Sequence, residues 1–306
     1  MSFSGEVKDE LAGLLSSSRH CQIAELAAIL HYCGKIVLDK QNHENVLIQT
    51  ENEQVIRKCF TLLKKTFNIN TDIVLKGSYS LCIQETSQVL KVLQAVKIVD
   101  GSGRVDGRTD TVNPLIIKNA CCKRAYLRGT YLAIGSMSDP NKAYHLEFVC
   151  ITMQQGEQLR EILQGFMIEA RIIQRKRYFV LYLKEGAGIV DLLNVMGAHV
   201  SLMNLENLRI VKEMRNSINR RVNCEAANIT KTVNASAKQI EDIMLIQDTY
   251  GMKNLQDSLR EMAEIRLEYP DATLKELGQY LKPPVGKSGV NHRLRKLSEI
   301  AERIRA

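Results

Sequence analysis

The clearest hydrophobic pattern lies near the end of the chain, where two amphipathic helices are predicted on either side of a short turn. Thr273 and Glu276 have the spacing of a capping box, which starts the first helix. Its leucines recur on one helical face: Leu274, Leu277 and Leu281. Pro283 and Pro284 must end this helix, because proline lacks an amide hydrogen and clashes with the preceding turn. Ser288 is a favourable N-cap, so we expect the second helix to begin there.

The second helix separates apolar from basic residues. Its apolar face carries Val290, Leu294, Leu297, Ala301 and Ile304. Helical spacing places a basic face opposite, with His292, Arg295, Lys296 and Arg303, flanked by Asn291 and Arg293. Such a helix suits the major groove of DNA, although a solvated charged helix has the same pattern. The preceding helix, turn and cap favour a helix-turn-helix, in which Gly278 would let the two helices approach closely.

The basic face supplies the candidate DNA contacts. The candidates for base edges are Lys287, Ser288, His292 and Arg295, with Asn291 as a weaker one. Arg293 and Lys296 are the candidates for phosphate contact. A bidentate arginine on guanine contributes about 1–3 kcal/mol of discrimination, so we expect loss of Arg295 to relax the preference at one base position.

The first two hundred residues read as one unit written twice, with the copies about 100 residues apart. Each copy opens with a helix that ends in glycine, Gly34 or Gly135, and that has a small residue, Ala28 or Gly129, six positions earlier. Further elements recur as strands (46–50 and 144–149), helices with Glu53 matched to Glu157, hairpins (72–83 and 171–182) and closing helices (87–99 and 187–196). The pattern predicts an α+β fold of two αββαββ units about a pseudo-twofold axis.

This organisation divides the chain into four predicted parts. They are a first half at 1–107, a second half at 108–204, a helical linker at 205–233 and a helix-turn-helix domain at 234–306. Residues 100–107 are rich in turn-forming residues and predict a connector. Ser236 and Gln239 have the spacing of another capping box, so we expect the last domain to open with a helix there.

Composition narrows the function. The chain has 306 residues, 45% hydrophobic and 25% charged, with a net charge of +8, which is typical of a folded, soluble protein. Residues 275–306 hold eight Lys/Arg against three Glu, and this excess predicts a polyanionic partner. The eight cysteines include no CxxC pair and the six histidines show no metal-ligand spacing, so we expect reduced thiols, no metal and no cofactor. No signal-like or membrane-spanning stretch is present, which favours a cytoplasmic, nucleoid-associated protein without membrane contact.

The two glycine-ended helices resemble the LAGLIDADG motif, and the chain as a whole resembles the WhiA family of bacterial regulators. The most specific stretches are YLRG at 126–129, DPNKAYHLE at 139–147, MRN at 214–216, VNCEAAN at 222–228 and PPVGKSGVNHRLRKL at 283–297. The resemblance implies a homing-endonuclease-like fold followed by an all-α helix-turn-helix domain similar to region 4 of sigma factors. It also implies a transcription factor linked to cell division, chromosome segregation and, in sporulating relatives, sporulation.

Active LAGLIDADG enzymes carry an acidic residue before the last glycine of each motif, and these carboxylates hold the divalent metals that cut DNA. The matching positions here are Cys33 and Ile134. A thiol is a poor ligand for Mg²⁺ and isoleucine is none, so the resemblance implies degenerate metal positions and no catalytic residues. We expect Cys33 and His31 to be packing residues.

We therefore expect a non-enzymatic, sequence-specific regulator that binds double-stranded DNA, with another transcription factor or RNA polymerase as the candidate protein partner. A surviving endonuclease and a nucleoid-associated or adaptor protein remain the alternatives. Two further basic groups are open to two interpretations, solvated charges or additional DNA contacts. They are the hairpin tip with Arg171, Arg175, Lys176 and Arg177, and the linker arginines Arg215, Arg220 and Arg221.

Overall fold

The computed structural model describes residues 2–38, 44–99 and 110–305. The chain divides into two compact units, Met1–Lys212 and Glu213–Ala306. The connector predicted at residues 100–107 lies outside the described residues. No helix in the described ranges is both long enough and apolar enough to cross a membrane. The division into four parts stays a prediction.

The first unit begins with helix α1 (Phe3–Gly13) and continues with two similar copies of a helix-and-strand motif. The first copy runs through α2 (Arg19–Cys33), β1 (Gly34–Leu38), β2 (Glu44–Thr50), α3 (Glu53–Phe67), β3 (Ile73–Lys76), β4 (Ser78–Ile83) and α4 (Thr86–Ala95). The second runs through α5 (Ala120–Ile134), β5 (Gly135–Met137), β6 (Leu146–Cys150), α6 (Met153–Gln164), β7 (Arg171–Arg175), β8 (Tyr178–Leu183) and α7 (Gly186–Met196). Each copy forms an antiparallel sheet, in the orders β1-β2-β4-β3 and β5-β6-β8-β7. The predicted α+β class and the duplicated αββαββ order are confirmed.

The strand register repeats with the same period as the sequence. Val46 pairs with Ile83 in the first sheet, and Leu146 pairs with Leu183 in the second, so the second register lies 100 residues after the first. These four residues are buried, and apart from the buried Asn45 beside Val46 their strand neighbours are exposed or half-buried, as expected for sheets covered on one face. The duplication therefore extends from the order of the elements to their hydrogen-bonded pairs.

One detail of the predicted repeat is wrong. α3 begins at Glu53 and α6 at Met153, so Glu157 lies about one turn further into its helix than Glu53 does. The two copies are offset by 100 residues, whereas the matched glutamates lie 104 residues apart, and α6 begins at the position equivalent to the start of α3 with a capping box of its own. In this box the Thr152 hydroxyl accepts a hydrogen bond from the amide of Gln155, whose side chain accepts one from the amide of Thr152. The Glu-Gln pairs at 53–54 and 157–158 therefore occupy different positions in their helices.

The glycines that end α2 and α5 let the chain pass from helix to strand without a loop. A Cβ atom on Gly34 would lie 2.4 Å from the carbonyl oxygen of Leu30, and one on Gly135 would lie 2.7 Å from the carbonyl oxygen of Tyr131. Both distances are too short for a side chain. Both glycines have ordinary negative φ angles, so backbone conformation does not require glycine here. Steric contact with the preceding helical turn requires it instead.

α2 and α5 pack against each other at the centre of the first unit. Most of their residues are buried, so neither helix has the single apolar stripe of a surface helix. The closest approach is at Gly129, where a Cβ atom would lie 2.5 Å from the carbonyl oxygen of Glu25 and 2.8 Å from Cβ of Ala28. The small residues that recur in the two copies thus meet at the helix crossing.

The second unit is helical. The chain enters it along α8 (His199–Thr249), and a 3-10 turn (Met252–Asn254), α9 (Asp257–Glu268), α10 (Leu274–Tyr280) and α11 (Lys287–Arg305) follow. The capping box that begins α10 is confirmed, since the Thr273 hydroxyl accepts from the amide of Glu276 and the Glu276 carboxylate accepts from the amide of Thr273. The backbone hydrogen bond at Thr273 lowers the pKa of Glu276. The helix-turn-helix is therefore present where the pattern predicted it.

The two other caps predicted for this unit are wrong. α11 begins at Lys287, so Ser288 lies inside the helix. The carbonyl oxygen of Gly286 accepts the first helical hydrogen bonds from the amides of Gly289 and Val290, at 2.9 and 3.1 Å. Gly286 therefore takes the cap position, which leaves the Ser288 hydroxyl available for other partners.

Ser236 does not start a helix either, because α8 continues through it without a break. Its hydroxyl donates to the carbonyl oxygen of Pro270, and Gln239 accepts hydrogen bonds from Arg266. Both side chains are engaged in tertiary contacts within the second unit. A spacing that matches a capping box is consequently used here for packing between helices.

Candidate nucleic-acid interface

The predicted apolar face of α11 is the face that holds it on its neighbours. Its buried residues are Val290, Leu294, Leu297 and Ala301, each at most 2% exposed, and Ile304 is partly buried. They pack with Leu277 of α10, with Leu281 directly after that helix, and with Met262 of α9. The buried stripe fixes the rotation of α11, and this rotation decides which side chains can reach a ligand.

Gly278 brings the turn of the motif against α10. A Cβ atom there would lie 2.1 Å from the carbonyl oxygen of Val285 and 3.2 Å from Cγ2 of Val290. The amide of Val285 also donates to the carbonyl oxygen of Gly278, at 2.8 Å. The expected close approach is thus confirmed, and its tightest contact is with the turn rather than with the second helix.

Arg266 is a buried arginine that ties three segments of the second unit together. It is 2% exposed, and its guanidinium donates to the Gln239 side chain at 3.0 and 2.8 Å. It also donates to the carbonyl oxygens of Pro270 and Ala272, at 3.3 and 2.8 Å. Burial lowers the pKa of this arginine. No sequence motif indicates it, because its partners are defined only by packing.

The far end of α11 is anchored by an ion pair. Arg305 Nη1 lies 2.8 Å from the carboxylate of Asp242 on α8, and Asp242 is fully buried. A buried carboxylate requires such a partner, because desolvation strongly disfavours an isolated charge. Arg266 and Asp242 therefore fix the loop before the motif and the end of α11, respectively.

The face of α11 opposite the buried stripe is open. The candidate contact residues on it are all exposed: Lys287, Ser288, Asn291, His292, Arg295 and Lys296. Ser288, His292, Arg295 and Glu299 follow one another at helical spacing, and we call these four residues the outer row. Arg295 is 78% exposed, and its Nε donates to Glu299 at 3.1 Å. The outer row and its flanks offer hydrogen-bond donors and positive charge to a groove.

Arg293 differs from the other candidates. Its side chain is 22% exposed and donates to the carbonyl oxygen of Ser258, at 3.4 Å. Its guanidinium also lies 3.9 Å from the carboxylate of Glu261 on α9. The structure therefore places Arg293 against its own domain, on the side of α11 that packs on α9.

The two residues predicted to stand at degenerate metal positions end the two central helices of the first unit. Cys33 is the last residue of α2 and Ile134 the last of α5, and both are partly buried. Burial raises the pKa of Cys33 to about 11, and the ammonium of Lys8 opposes this shift. A neutral thiol, a hydrocarbon side chain and a nearby cation suit a divalent metal poorly.

His31 lies one turn before Gly34 on the same helix and is partly buried, with Gln155, Tyr32 and Asp110 around it. The side-chain amide of Gln155 donates to its Nε2 at 3.3 Å, and the Tyr32 ring meets it edge-on at 4.9 Å. Burial lowers its pKa. The contacts agree with the packing role expected of this histidine.

The basic hairpin tip of the second copy is partly neutralised. Its four cations, Arg171, Arg175, Lys176 and Arg177, are exposed. Arg175 donates to the carboxylate of Glu147 on the neighbouring part of the sheet, at 3.2 Å, and Arg177 lies over the ring of Tyr178. An acidic residue among the strands opposes a close approach of DNA to this sheet. Two of the exposed linker arginines on α8 have local contacts, Arg220 with the carbonyl oxygen of Asn216 and Arg221 with the carboxylate of Glu225 at 3.9 Å.

One group of residues departs from the expectation that the chain has no metal-ligand arrangement. His20, Cys21, Cys121 and Cys122 come together, with their ligand atoms all within 4.8 Å of one another. We call these residues the four-ligand cluster. The two pairs of ligands are about 100 residues apart in the sequence, so no short motif indicates the cluster. The repeat does indicate it, because Cys21 and Cys122 occupy the third position of α2 and α5, respectively.

Three family models match successive parts of the chain. Residues 19–99 match the WhiA N-terminal LAGLIDADG-like domain, residues 123–215 the WhiA LAGLIDADG-like domain, and residues 218–301 the WhiA C-terminal HTH domain. Proteins named "Probable cell division protein WhiA" are similar over the full length: 51% identity with that of Lachnoclostridium phytofermentans (100% of both chains) and 45% with that of Clostridium acetobutylicum (100% of this chain and 99% of the relative). The crystal structure of full-length DUF199/WhiA from Thermatoga maritima superposes with a TM-score of 0.58 at 26% identity, covering 99% of each chain.

Proposed function

The chain belongs to the WhiA family, and we propose that it acts as a sequence-specific regulator of transcription that binds double-stranded DNA through α11. The observation that carries the proposal is the rotation of α11. The helix buries an apolar stripe on α9 and α10 and turns its outer row away from the domain. The first turns of such a helix meet base edges when it enters the major groove.

The candidate residues have different roles in this proposal. Lys287, Ser288, His292 and Arg295 contact base edges, Asn291 assists them, and Lys296 holds a phosphate. Arg295 must leave Glu299 to reach a guanine. An exposed ion pair of this kind contributes only about 0–1 kcal/mol, so exchanging one partner for another costs little. Arg293 is removed from the proposed phosphate contacts, because its side chain is engaged with Ser258 and Glu261.

The first unit serves as a scaffold without nuclease activity in this proposal. A metal-dependent LAGLIDADG nuclease needs carboxylates at the ends of its two central helices, and this chain has Cys33 and Ile134 there. Lys8 adds a positive charge beside Cys33. Incubation of the purified chain with supercoiled plasmid and Mg²⁺ or Mn²⁺ should leave the plasmid intact. Nicking that co-purifies with the chain, and that disappears on mutation of an acidic residue near Cys33, would contradict this proposal.

The process that the regulator serves is cell division, an inference supported by the name of the full-length relatives. Roles in chromosome segregation and sporulation extend this inference through the family resemblance. A protein partner, either RNA polymerase or a second transcription factor, would connect DNA binding to transcription, and the working location would be the nucleoid. We therefore expect its binding sites to include the promoters of cell-division genes.

Genome-wide occupancy of the full-length chain tests the central proposal. We expect discrete peaks at promoters and a shared sequence motif beneath them. A chain with both His292→Ala and Arg295→Ala should lose those peaks, whereas Lys91→Ala, which removes an exposed cation from α4 of the first unit, should keep them. Uniform coating of the genome would instead identify an architectural protein, and peaks that survive the double substitution would show that α11 is not the reading helix.

A further inference from the structure

The four-ligand cluster lies at the beginning of the two central helices of the first unit. His20 and Cys21 are the second and third residues of α2, and Cys121 and Cys122 hold the same positions in α5. Nδ1 of His20 lies 3.1 Å from Sγ of Cys122 and 3.4 Å from Sγ of Cys21. Each copy of the repeat therefore contributes two adjacent ligands, and the packing of α2 on α5 brings the two pairs together.

We propose that these four side chains form a Cys₃His site for one Zn²⁺ ion. Tetrahedral zinc has Zn–S bonds of about 2.3 Å and Zn–N bonds of about 2.0–2.1 Å, so its ligand atoms lie roughly 3.5–3.8 Å apart. The ligand atoms here are all within 4.8 Å of one another, so small side-chain rotations bring them to these separations. Three thiolates with one imidazole are a ligand set that selects zinc over the hard ions Mg²⁺ and Ca²⁺.

The surroundings suit a bound cation held by thiolates. All four ligands lie in the first turn of a helix, where the free amide groups and the helix dipole favour negative charge. Burial raises the pKa of Cys21 and Cys122, so the metal ion would have to displace the protons of these two thiols when it binds. The cluster opens into a cleft that Arg124 and Arg128 also line. Three thiolates with one Zn²⁺ leave a net charge of −1, and Arg124 supplies positive charge in the same cleft, whereas Arg128 is already paired with Glu25. Cys21 and Cys122 are buried whereas His20 and Cys121 are exposed, so a metal ion can enter from solvent.

The proposed site is separate from the lost nuclease metal positions. Cys21 and Cys33 lie twelve residues apart on α2, which corresponds to about 18 Å along the helix axis. The zinc would therefore act at the opposite end of the helix pair and would join the two copies where they begin. Its role is structural, because all four positions are filled by protein ligands and none is left open for water or substrate.

Metal analysis of the full-length chain tests the proposal. The chain is purified without a histidine tag, in the presence of a reductant, and dialysed before its metal content is measured by mass spectrometry. We expect about one zinc per chain, falling to a trace in the Cys121→Ser variant. Cys121 is exposed, so this substitution should leave the fold intact, and circular dichroism checks that it does. Cys224→Ser, which changes an exposed cysteine on α8, is the matched control and should keep the zinc.

Cobalt substitution provides a second measurement on the same proteins. Co²⁺ added to the zinc-free chain should produce the thiolate charge-transfer and tetrahedral d–d absorption bands, which Cys121→Ser should weaken and Cys224→Ser should not change. A chelator should lower the thermal midpoint of the parent chain and leave that of Cys121→Ser unchanged. The proposal is overturned if the parent chain holds no stoichiometric zinc, if Cys121→Ser holds as much as the parent, or if the freshly purified, reductant-treated chain contains a disulfide within the cluster.

Discussion

Glu25 and Arg128 join the two copies of the first unit through two hydrogen bonds between α2 and α5. Nε and Nη2 of Arg128 donate to the two carboxylate oxygens of Glu25 at 2.9 and 3.0 Å. The ammonium of Lys58 on α3 lies 3.2 Å from the same carboxylate, which is fully buried. Burial lowers the pKa of Lys58, and Glu25 opposes this shift. One carboxylate thus compensates two buried cations at the helix interface.

Replacing Glu25 with glutamine should destabilise the first unit strongly. The change leaves the guanidinium of Arg128 and the ammonium of Lys58 without a charged partner, and breaking a buried pair in this way costs roughly 3–5 kcal/mol. Urea unfolding followed by circular dichroism measures the loss. Glu53→Gln is the matched control, because Glu53 pairs with Arg57 at an exposed position. That exposed pair is expected to contribute less than about 1 kcal/mol. Equal losses in the two variants would contradict a special role for the buried carboxylate.

Gly129→Ala should disrupt the crossing of α2 and α5. The added methyl would lie 2.5 Å from the carbonyl oxygen of Glu25, so the two helices would have to separate. Overpacking of this kind costs about 1–3 kcal/mol. Thermal unfolding of the variant checks the prediction against Gly13→Ala at the end of α1, where a Cβ atom meets nothing within 4 Å. A Gly129→Ala chain as stable as the control would show that the helix pair can adjust without cost.

The Cys33 thiol should resist ionisation and alkylation until the pH is high. Burial raises its pKa to about 11 from an ordinary value of 9.0. As pH rises above 9.0, the unfolded chain releases this proton before the folded chain does, so this group lowers folding stability progressively between about pH 9 and pH 11. Removal of the neighbouring ammonium in Lys8→Met should raise this pKa further.

Iodoacetamide labelling with peptide mass spectrometry measures this behaviour. At about pH 8 the thiolate fraction of Cys33 is roughly a hundredth of that of an unperturbed thiol, so its labelling should be slow. Cys224, which is exposed on α8, provides the internal reference in the same sample. Equal labelling rates of Cys33 and Cys224 at this pH would show that Cys33 is available as a thiolate and would weaken the argument against a metal at this position.

The sequence predicted the features that depend on local contacts or on a regular repeat. The capping box of Thr273 and Glu276 joins residues three positions apart, and the glycines Gly34 and Gly135 recur with the repeat. Local spacing alone was insufficient at Ser288, because the helix begins one residue earlier on the carbonyl oxygen of Gly286. Patterns that satisfy a local rule can therefore still be used differently once the chain is packed.

Contacts between distant residues could not be predicted in the same way. Glu25 and Arg128 are separated by 103 residues, and no spacing rule connects them. His20 and Cys122 are 102 residues apart, and the absence of a CxxC pair led to the expectation of no metal site. The packing of α2 on α5 creates both arrangements. His20 and Cys21 lie at the start of α2, and Cys121 and Cys122 lie at the start of α5. A pseudo-twofold axis that relates the two helices brings these equivalent positions together, whereas the order of the elements alone does not.

Arg295 and Lys296 should respond differently to truncation, although they are neighbours on α11. Arg295 belongs to the outer row, so its loss should relax the preference at one base pair and cost about 1–3 kcal/mol on the preferred site. Lys296 lies on the same basic face beside the outer row, where it should hold a phosphate. Its loss should weaken binding to all sequences alike and reduce the dependence of log K on log salt by about one.

These two effects are separated by measuring affinity with fluorescence anisotropy at several salt concentrations. The DNA ligands are the preferred site, taken from the occupancy motif, and its single-base variants. Arg295→Ala should flatten the discrimination at one position, and Lys296→Ala should leave the discrimination profile unchanged while shifting every affinity. Glu299→Gln is an informative companion, because it frees Arg295 from its intramolecular partner and removes a negative charge from the outer row. We therefore expect it to tighten binding. Parent-like affinity and specificity in all three variants would place the DNA contacts elsewhere on the chain.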